Sequence, residues 1–402
     1  MAALLPVEDA LALLLTDASP LAGEDVPLGS AGNRVLAVDI HARRTQPPFD
    51  ASAMDGYAVR ADDVAQIPAR LRVIGVSVAG QRFSGCVNSG EAVRIFTGAP
   101  VPAGADAILL QEDARLIDEG TIEALEAVAR GRHIRRAGLD FSTGDLLLPS
   151  GRVLDAAALS LAASANYPTL SVVRKPLVAI LATGSELVEP GTTPGDDQIV
   201  ASNNVGVATL VSAAGGRVVD LGIIPDDRAA LAGAVNSARE LGADVIVTLG
   251  GASVGDHDLV QEVLGAQGMA LDFWKIKMRP GKPLISGRLG ATRVLGLPGN
   301  PVSSLVCSHL FLVPLVARLA GRIHKPDVRT AVLGVSMKAN DHRQDYVRAV
   351  VSVDEGRLTA MPFAVQDSSM LSTLAAANTL IIRAPDAPAA SAGDACTVLM
   401  LR

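Results

Sequence analysis

The stretch that decides the fold is VLGLPGNPVSS, Val294–Ser304, and a second motif, RPGKP at Arg279–Pro283, precedes it by about one strand hairpin. The first apolar residues of Val294–Ser304 predict the end of a strand, and the glycines of this stretch allow a tight turn. Asn300 is a favoured N-cap residue, and Pro301 stands at the first helical position, where its missing N–H costs nothing. The stretch therefore predicts a strand, a turn and the start of a helix.

A helix is predicted from Val302 to Leu319, and its first residues face this turn. Free N–H groups and the positive end of the helix dipole favour an anion there, and Ser303 and Ser304 add hydroxyl donors. A phosphate or another oxyanion would fit. An ordinary strand-to-helix turn has the same pattern, so this motif alone leaves the two interpretations about equal.

Two further apolar strands run into polar, glycine-rich loops. Leu177–Leu181 runs into TGSE, residues 183–186, and Asp244–Leu249 runs into GGASVGDHD, residues 250–258. The segments predicted between them are a helix from near Ser202 to the glycines at 215–216, a strand at Arg217–Leu221, and a helix from near Asp226 to Gly242. This β-α-β-α-β alternation predicts a parallel sheet with right-handed crossovers. Ligands of open α/β sheets bind at the carboxyl ends of strands, so the three loops should converge on one cleft.

The composition is that of a globular protein with several domains. The chain has 402 residues, of which 49% are hydrophobic and 19% charged, and its length predicts two to four domains. No uninterrupted apolar run approaches the roughly 20 residues that span a bilayer. Glu8 and Asp9 interrupt the N-terminal apolar residues, and no Lys or Arg precedes these residues, so we expect no signal peptide.

Charge and cysteine content argue against further classes of protein. A formal net charge of −7 and 3% aromatic residues give no basis for binding nucleic acid. The three cysteines, Cys86, Cys307 and Cys396, are scattered, which favours reduced thiols in a cytoplasmic protein over disulfides or a zinc site. The sequence also lacks the motifs of zinc proteases, α/β-hydrolases and P-loop enzymes.

Eight motifs, in one order along the chain, carry a resemblance to a known family. They are SAMDGYAV (Ser52–Val59), IFTGAPVPAGADAIL (Ile95–Leu109), IRRAGLD (Ile134–Asp140), ATGSEL (Ala182–Leu187), GGASVGDHD (Gly250–Asp258), FWKIKMRPGKP (Phe273–Pro283), GLPGNPVSS (Gly296–Ser304) and SSML (Ser368–Leu371). Through nearly its whole length the chain resembles the MoeA family, the molybdenum-insertion enzymes of molybdenum cofactor synthesis. That family is related to the E domains of gephyrin and of its plant counterpart.

The resemblance implies a multidomain α/β plus β protein. Residues 1–42 and 133–173 would form a discontinuous N-terminal domain with an elongated β-rich module, 43–132, inserted into it. Residues 174–323 would form a central α/β, MogA-like domain that binds molybdopterin on a parallel sheet, and residues 324–402 a C-terminal β barrel. The outer elements that the pattern itself predicts are helices at Val7–Thr16 and Leu154–Ala165 and strands at Arg34–Ile40, Val328–Met337, Gln344–Val353, Leu358–Pro362 and Thr379–Arg383.

By resemblance, the chain is a transferase, a molybdopterin molybdotransferase, that works as a homodimer in the cytoplasm. Its substrates would be molybdate and adenylylated molybdopterin, a pterin nucleotide, and it would release AMP in a Mg²⁺-dependent reaction. Hand-over partners in cofactor synthesis are expected, whereas nucleic acid and membrane are not. One alternative is a molybdopterin adenylyltransferase that shares only the α/β domain, against which the full-length match argues. The other is a non-catalytic dimeric scaffold like gephyrin, made less favoured by the lack of a fused partner domain or long linker.

The resemblance also implies site residues that spacing alone does not indicate. By chemistry, Asp55 and Thr97 are ordinary turn residues. By resemblance, both belong to the active site, and Asp55 reaches it from the partner subunit. The expected catalytic residues are Asp55, Thr97, Glu186, Asp226 and Asp258, with Glu186, Asp256 and Asp258 as the metal ligands. The expected substrate-binding residues are Arg136, Thr183, Gly184, Ser202, Gly250, Gly251, Ser253, Gly255, Lys277, Pro280, Gly281, Lys282, Pro298, Gly299, Asn300, Pro301 and Ser303.

The carboxylates of the α/β domain have a physical argument of their own. Those that follow predicted strands are Glu186, Asp226, Asp256 and Asp258. Clustered oxygen ligands around phosphates are what Mg²⁺ requires. For Asp226, N-capping of the following helix is an equally good interpretation. Ser185 and Ala201 stand where the family commonly has aspartates, so the expected site has two fewer carboxylates and a weaker or rearranged metal site.

A run of cations precedes the decisive stretch. Strand periodicity predicts that Lys275, Lys277 and Arg279 share one face. Lys282 lies in a rigid Pro-Gly-Lys-Pro turn, which would fix its charge near the helix start and favours anion binding over a solvated face. We therefore expect molybdate near Lys282 and Ser303. His257, which stands between two aspartates, is expected to be an exposed bystander.

Overall fold

The computed structural model describes residues 4–251, 259–354 and 356–402. Contacts divide the chain into two compact units, of which the larger comprises Met1–Glu24, Asn33–Ala37 and Val172–Arg402 and the smaller Asp25–Gly32 and Val38–Ser171. We call them the major and the minor unit. The four-part domain division given above is finer and stays a prediction.

The regular elements are numbered in chain order. The α-helices are α1 (Val7–Leu15), α2 (Ala156–Ser164), α3 (Asn203–Ala213), α4 (Arg228–Glu240), α5 (Leu259–Ala266), α6 (Pro301–Cys307), α7 (Val313–Leu319) and α8 (Leu371–Ala376). The strands are β1 (Gly23–Pro27), β2 (Ile40–His41), β3 (Ala51–Ser52), β4 (Gly56–Val59), β5 (Ala69–Ser77), β6 (Glu91–Ile95), β7 (Ala107–Leu110), β8 (Ala114–Asp118), β9 (Thr121–Ala124), β10 (Ile134–Arg135), β11 (Leu146–Leu148), β12 (Thr169–Val173), β13 (Leu177–Thr183), β14 (Leu187–Val188), β15 (Ile199–Val200), β16 (Arg217–Ile224), β17 (Val245–Leu249), β18 (Ala270–Trp274), β19 (Met278–Arg279), β20 (Ile285–Leu289), β21 (Thr292–Leu297), β22 (Val328–Leu333), β23 (Gln344–Asp354), β24 (Arg357–Pro362), β25 (Thr379–Arg383) and β26 (Ala395–Met400).

A six-stranded sheet lies at the centre of the major unit, in the order β16-β13-β17-β21-β20-β18. The first four strands are parallel, and β20 and β18 extend the sheet in antiparallel fashion. Every residue of β13 and β17 is buried, which explains their continuous apolar sequences, because strands of a parallel sheet are covered on both faces. The parallel sheet predicted from the strand and helix alternation is confirmed.

The two faces of this sheet belong to two cores. Along β13, Val178 and Ile180 pack with residues of α1, α3, α6 and α7, whereas Ala179 and Leu181 pack with residues of α4 and α5. Side chains of a strand alternate between its faces, so one apolar run serves both cores. This doubly covered sheet fixes where its strand ends, and hence the loops after them, are located.

The apolar segment after β21 is an interrupted helix. A π-helical turn at Ser308–Leu312 joins α6 to α7. Pro314, in the first turn of α7, has no N–H to donate, which loosens the hydrogen-bond ladder at this point. Among the described helices, Pro301–Leu319 is long and apolar enough to span a membrane, with a mean hydropathy of 1.7, but 72% of it is buried inside the protein. Core helices of globular proteins meet the same criterion.

The C-terminal strands close into a barrel. The order is β19-β23-β24-β22-β26-β25, and β23 also pairs with β25, so β23, β24, β22, β26 and β25 form a closed ring. Its interior contains Ala349, Ala360, Ile381 and Val398, all fully buried. The predicted C-terminal β barrel is confirmed.

The minor unit is rich in strands, as the resemblance implied. Its main sheet has the order β7-β4-β6-β5-β9-β8. The expected helix at Leu154–Ala165 is α2, whose N-cap residue Asp155 accepts a hydrogen bond from the N–H of Ala158 at 2.7 Å. That contact satisfies one of the free donors at the helix start.

Two local predictions are wrong. Within the expected strand Arg34–Ile40, only Val35 and Leu36 form isolated bridges, Leu36 with Val172, and β2 begins only at Ile40. The Arg34 guanidinium donates to the carbonyl of Val173 at 2.8 Å, beside this short pairing.

The shared strand face of Lys275, Lys277 and Arg279 is also not formed. β18 ends at Trp274, and Lys275 has a left-handed φ of 78°, so the strand period is broken before β19 begins. The Lys275 ammonium lies 3.8 Å from the centre of the Trp274 ring. A cation over an aromatic face is stabilised by the ring quadrupole, which favours this local turn over a continuous strand.

Candidate functional site

A cavity of about 850 Å³ opens at the carboxyl ends of β13, β17 and β21. The predicted site residues that line it are Thr183, Gly184, Glu186, Ser202, Asp226, Gly250, Gly251, Pro298, Gly299, Asn300 and Pro301. They come from the loops after these three strands, from the loop after β16 and from the start of α3. The predicted convergence of the three glycine-rich loops is confirmed, and the chemical roles of the residues stay predictions.

Glycines let these loops approach closely. A Cβ added to Gly250, whose φ is 96°, would lie 2.5 Å from the carbonyl oxygen of Thr183. A Cβ on Gly299 would lie 3.5 Å from the Cα of Gly250, and the N–H of Gly250 donates to the carbonyl of Leu297 at 3.1 Å. A larger residue at Gly250 would force the ends of β13 and β17 apart, whereas a Cβ on Gly299 would be in ordinary van der Waals contact.

Glu186 and Asp226 bring carboxylates to the cavity. The Glu186 carboxylate lies over Gly184, where an added Cβ would be 2.6 Å from Oε2. Asp226 accepts a hydrogen bond from the N–H of Ser185 at 3.3 Å. Its neighbour Asp227 is the residue that caps α4, because it accepts from the N–H of Ala230 at 2.8 Å. Capping therefore leaves Asp226 free to line the cavity.

Four expected site residues, Ser253, Gly255, Asp256 and Asp258, lie outside the described residues, as does His257. Within residues 4–251, 259–354 and 356–402, no group of three or more His, Cys, Asp or Glu side chains is placed to hold a metal ion by itself. The described part of the cavity thus supplies two of the carboxylates in a predicted oxygen-rich site.

The start of α6 is engaged by the C-terminal part of the chain. Asn300 occupies the N-cap position, but its side-chain amide donates to Ser368 Oγ at 3.0 Å instead of accepting from the helix. The N–H of Val302 donates to the carbonyl of Ser368 at 3.1 Å. The next residue, Ser369, lines the cavity. One of the free helix N–H groups expected to meet an anion therefore already has a protein acceptor.

Ser303 and Ser304 are not brought to the cavity. Both are buried, at 5% and 0% exposure, and neither is among its lining residues. Most of α6 is buried, so its serines face the core together with its apolar residues. Ser369, in contrast, was quoted as part of a motif but was not among the predicted site residues; its position depends on how the barrel packs, which the local sequence does not specify.

The RPGKP turn faces more than one region. None of the described Lys or Arg residues lines the cavity, although Pro283, next to Lys282, does. Arg279 forms ion pairs with Asp345 and, at 3.3 Å, with Asp341, and Asp345 raises the pKa of its guanidinium. Pro280 lines a different cavity, of about 700 Å³, beside the barrel.

Gly281, Lys277 and Lys282 are the other predicted substrate-binding residues in and before the RPGKP turn. Gly281 has a φ of 106°, and a Cβ there would lie 2.4 Å from the buried Sγ of Cys307. Its need for glycine is therefore explained by packing. Lys277 and Lys282 are half-buried, and neither has an ion-pair partner in the described part of the chain. Burial raises the pKa of the Cys307 thiol, so this cysteine is an unreactive core residue.

In the minor unit, Asp55 and Thr97 lie together. The Asp55 carboxylate accepts hydrogen bonds from the backbone N–H of Thr97 at 2.7 Å and from its hydroxyl at 2.8 Å. These two contacts, in that order, lower the pKa of Asp55 below its ordinary value. Arg136 donates to Asp50 at 2.6 Å. The minor unit thus holds an ionised, half-buried Asp55, with its orientation fixed by Thr97.

Family models match three consecutive parts of the chain. They are the MoeA N-terminal region, described as domains I and II, at residues 5–166, a probable molybdopterin binding domain at residues 179–318, and the MoeA C-terminal region, described as domain IV, at residues 330–401.

Curated relatives and solved structures agree with these matches. A protein of Haemophilus influenzae named molybdopterin molybdenumtransferase is 37% identical over 94% of both chains, and one of the same name from Bacillus subtilis is 33% identical over 94% of this chain and 90% of its own. Two crystal structures of molybdopterin biosynthesis MoeA proteins from Pyrococcus horikoshii have TM-scores of 0.86 and 0.79, with 30% and 28% identity over 100% and 99% of this chain and all of theirs. The chain therefore belongs to the MoeA family.

Proposed function

We propose that this protein is a molybdopterin molybdenumtransferase, which inserts molybdenum from molybdate into the dithiolene of molybdopterin in molybdenum cofactor biosynthesis. The observation that carries the proposal is the relation to enzymes of that name over 94% of the chain. The cavity where β13, β17 and β21 end supports it, because it is large enough for a nucleotide-sized ligand and has carboxylates on its wall.

The substrate form that we propose is adenylylated molybdopterin, with AMP as the released product. Its pyrophosphate needs N–H donors and a counter-charge. The glycines at 250–251 and the turn at Pro298–Pro301 bring backbone close to the cavity without side chains in the way. The binding energy of the nucleotide end would then hold the dithiolene beside molybdate in a productive orientation.

Mg²⁺ fits the residues present. This ion is usually held by one or two carboxylates together with substrate phosphates and water, and Glu186 and Asp226 supply two carboxylates on one cavity. Asp258, and Asp256 beside it, are the further ligands that we propose. When bound, Mg²⁺ would neutralise charge that develops on the phosphoanhydride as it is hydrolysed. Molybdate, a dianion, is proposed to bind near Lys282, whose ammonium has no ion-pair partner in the described residues.

We also propose that the enzyme is a cytoplasmic homodimer that passes its product to hand-over partners. The carboxylate of Asp55, fixed by Thr97, supports a role for the minor unit in catalysis. By analogy with the family, Asp55 of one subunit would serve the site of the other.

Mass analysis of the pterin products tests the proposal. Purified protein is incubated with adenylylated molybdopterin, Mg²⁺ and molybdate, and we expect molybdenum cofactor and AMP in equal amounts. Omission of molybdate should leave the substrate largely intact. An adenylyltransferase would instead form adenylylated molybdopterin from ATP and molybdopterin, and a scaffold would bind the pterin without turnover. Either result would overturn the proposal.

A further inference from the structure

The start of α3 forms one wall of the cavity and carries two asparagines outside the predicted site. Asn203 and Asn204 both line the cavity. Nδ2 of Asn203 donates to the carbonyl of Gly299 at 2.7 Å, and Nδ2 of Asn204 donates to Asp220 Oδ1 at 3.0 Å. A carbonyl and a carboxylate can only accept, so both amide NH₂ groups must face these partners. The orientation of the two amides is thereby fixed.

Among residues 4–251, 259–354 and 356–402, the carbonyl oxygens of both amides have no hydrogen-bond partner. Oδ1 of Asn203, Oδ1 of Asn204 and Oγ1 of Thr183 are all shielded from solvent and unpaired. Thr183 also lines the cavity, and Thr183 and Asn204 are only 6% and 8% exposed. Buried polar atoms are nearly always paired in native proteins. Because the two amide oxygens can only accept, they disfavour an anion and suit a group that donates N–H.

An apolar surface lies next to these acceptors. Ile199 and Val200, which form β15 just before α3, are 57% and 41% exposed, and both line the cavity. β15 is held in place by parallel pairing with β14. Branched apolar side chains beside buried acceptors suit a flat ring with an amino substituent. The ring can pack on the apolar side chains while its amino group reaches the acceptor oxygens.

We propose that this wall is the subsite for a heterocycle of the substrate, which packs on Ile199 and Val200 and donates its exocyclic amino N–H to Asn203, with Asn204 and Thr183 deeper in the wall. The inference rests on the proposed function, whose substrate has two such rings, adenine and pterin. Asn203 and Asn204 are then specificity residues. Solvent does not reach their oxygens, so neighbouring side chains of the wall move aside when the ring binds, while both amides keep their hydrogen bonds to Gly299 and Asp220.

The experiment measures dissociation constants by calorimetry for two pairs of ligands. AMP has an amino group where IMP has a carbonyl, and pterin has an amino group where lumazine has a carbonyl. We expect the wild-type protein to bind the amino member of one pair at least about tenfold more tightly, because the carbonyl leaves an acceptor unpaired. Asn203→Ala should lose this preference. The pair that it affects identifies which ring occupies the subsite.

Matched variants separate recognition from structural damage. Ile199→Ser should weaken both members of the affected pair by the same factor, because it removes apolar area and no acceptor. Thr209→Ala, on the exposed side of α3, where the hydroxyl bonds only to the Val205 carbonyl, should bind like the wild type. Ribose 5-phosphate, which has no ring base, should bind the wild type and Asn203→Ala equally.

Three outcomes overturn the proposal. The first is that the wild type does not discriminate within either pair, and the second is that Asn203→Ala keeps the wild-type preference. The third applies if Asn203→Ala no longer binds ribose 5-phosphate because of damage at Gly299. In that case, wild-type affinity of Ile199→Ser for all four ligands would overturn the proposal. None of these measurements involves molybdenum. Failure of molybdenum insertion in the mass assay would therefore overturn the proposed function and leave this test standing.

Discussion

Two regions of the major unit hold their charges in different ways. At the strand ends, Glu186 and Asp226 line the cavity and form no ion pair with any Lys or Arg that the structure describes. In the RPGKP turn, Arg279 is paired with Asp345 and Asp341, while Lys282 has no ion-pair partner in the part of the chain that the structure describes and is next to Pro283, which lines the cavity. A parallel sheet brings its strand ends to one edge whatever side chains follow them. The position of Arg279 in the RPGKP turn depends instead on its ion pairs with Asp345 and Asp341.

The largest effect should come from the cavity carboxylates. Glu186→Gln and Asp226→Asn each remove a charge from the proposed Mg²⁺ site and should slow AMP release by roughly 100-fold or more, which is typical of a lost electrostatic contact at a reaction centre. The rate is measured under saturating molybdate, and circular dichroism should show an unchanged fold.

Asp227→Asn is the matched control for Asp226. Asn caps helices as well as Asp does, so this variant removes a neighbouring charge but keeps the start of α4. We expect it to be nearly as active as the wild type. Equal losses in Asp226→Asn and Asp227→Asn, or no loss in either cavity variant, would contradict the assigned role of the strand ends.

The second prediction extends the comparison to the minor unit. If Asp55 serves the partner subunit, mixing inactive Asp55→Ala chains with inactive Glu186→Gln chains should restore about a quarter of the wild-type activity, since half of the exchanged dimers contain one intact site of two. The mixture is assayed by AMP release after subunit exchange, with each variant alone as the control. No recovery after proven exchange would mean that each site is built within one chain.

The third prediction concerns stability at the RPGKP turn. Gly281→Ala places a Cβ 2.4 Å from Cys307 Sγ at a φ of 106°, and should lower the free energy of unfolding by roughly 2–4 kcal/mol. Urea denaturation measures the loss. Gly290→Ala is the control, because its φ is 62° but nothing lies within 4 Å, so it should lose only about 1 kcal/mol. Equal losses would show that backbone strain, and not the contact with Cys307, makes glycine necessary.

These regions also show what local sequence can specify. Apolar runs and glycines predicted β13, β17 and the convergence of their loops, because the burial of a strand and the geometry of a turn depend on residues that are consecutive in sequence. The break at Lys275 was not predicted from the strand period, because that period carries no sign of the left-handed φ of 78° that Lys275 adopts. The bond between the Arg34 guanidinium and the carbonyl of Val173 joins residues 139 positions apart, and the local pattern could not indicate it either.

The same distinction applies within the site. The positions of Glu186 and Asp226 at the cavity could be predicted because each lies two or three residues after the end of a strand. Ser369, Asn203 and Asn204 could not be assigned from pattern, since Ser369 reaches the cavity through contacts between Ser368 and the start of α6, 66 or more residues away in sequence. The unpaired oxygens of the two asparagines become visible only once the hydrogen bonds to Gly299 and Asp220 are known.

The smallest effect should come from Lys282. Lys282→Gln removes one charge near the cavity and leaves the backbone N–H groups of the turn at Pro298–Pro301 intact. Because Lys282 does not line the cavity, its attraction for molybdate acts partly through solvent, and we expect a few-fold rise in the KM for molybdate, on the order of 1 kcal/mol. Excess molybdate should restore the rate, and AMP affinity should be unchanged.

Lys175→Gln is the control for a lost charge, since exposed Lys175 precedes β13 at the opposite, amino end of the strand. It should leave the KM for molybdate unaltered. If excess molybdate fails to rescue Lys282→Gln and AMP binding is the defect, Lys282 serves the pyrophosphate, and molybdate must be held by another group. A rescue would instead mean that the RPGKP turn contributes its one unpaired charge to the oxyanion, while the strand ends, which hold the carboxylates, serve the nucleotide.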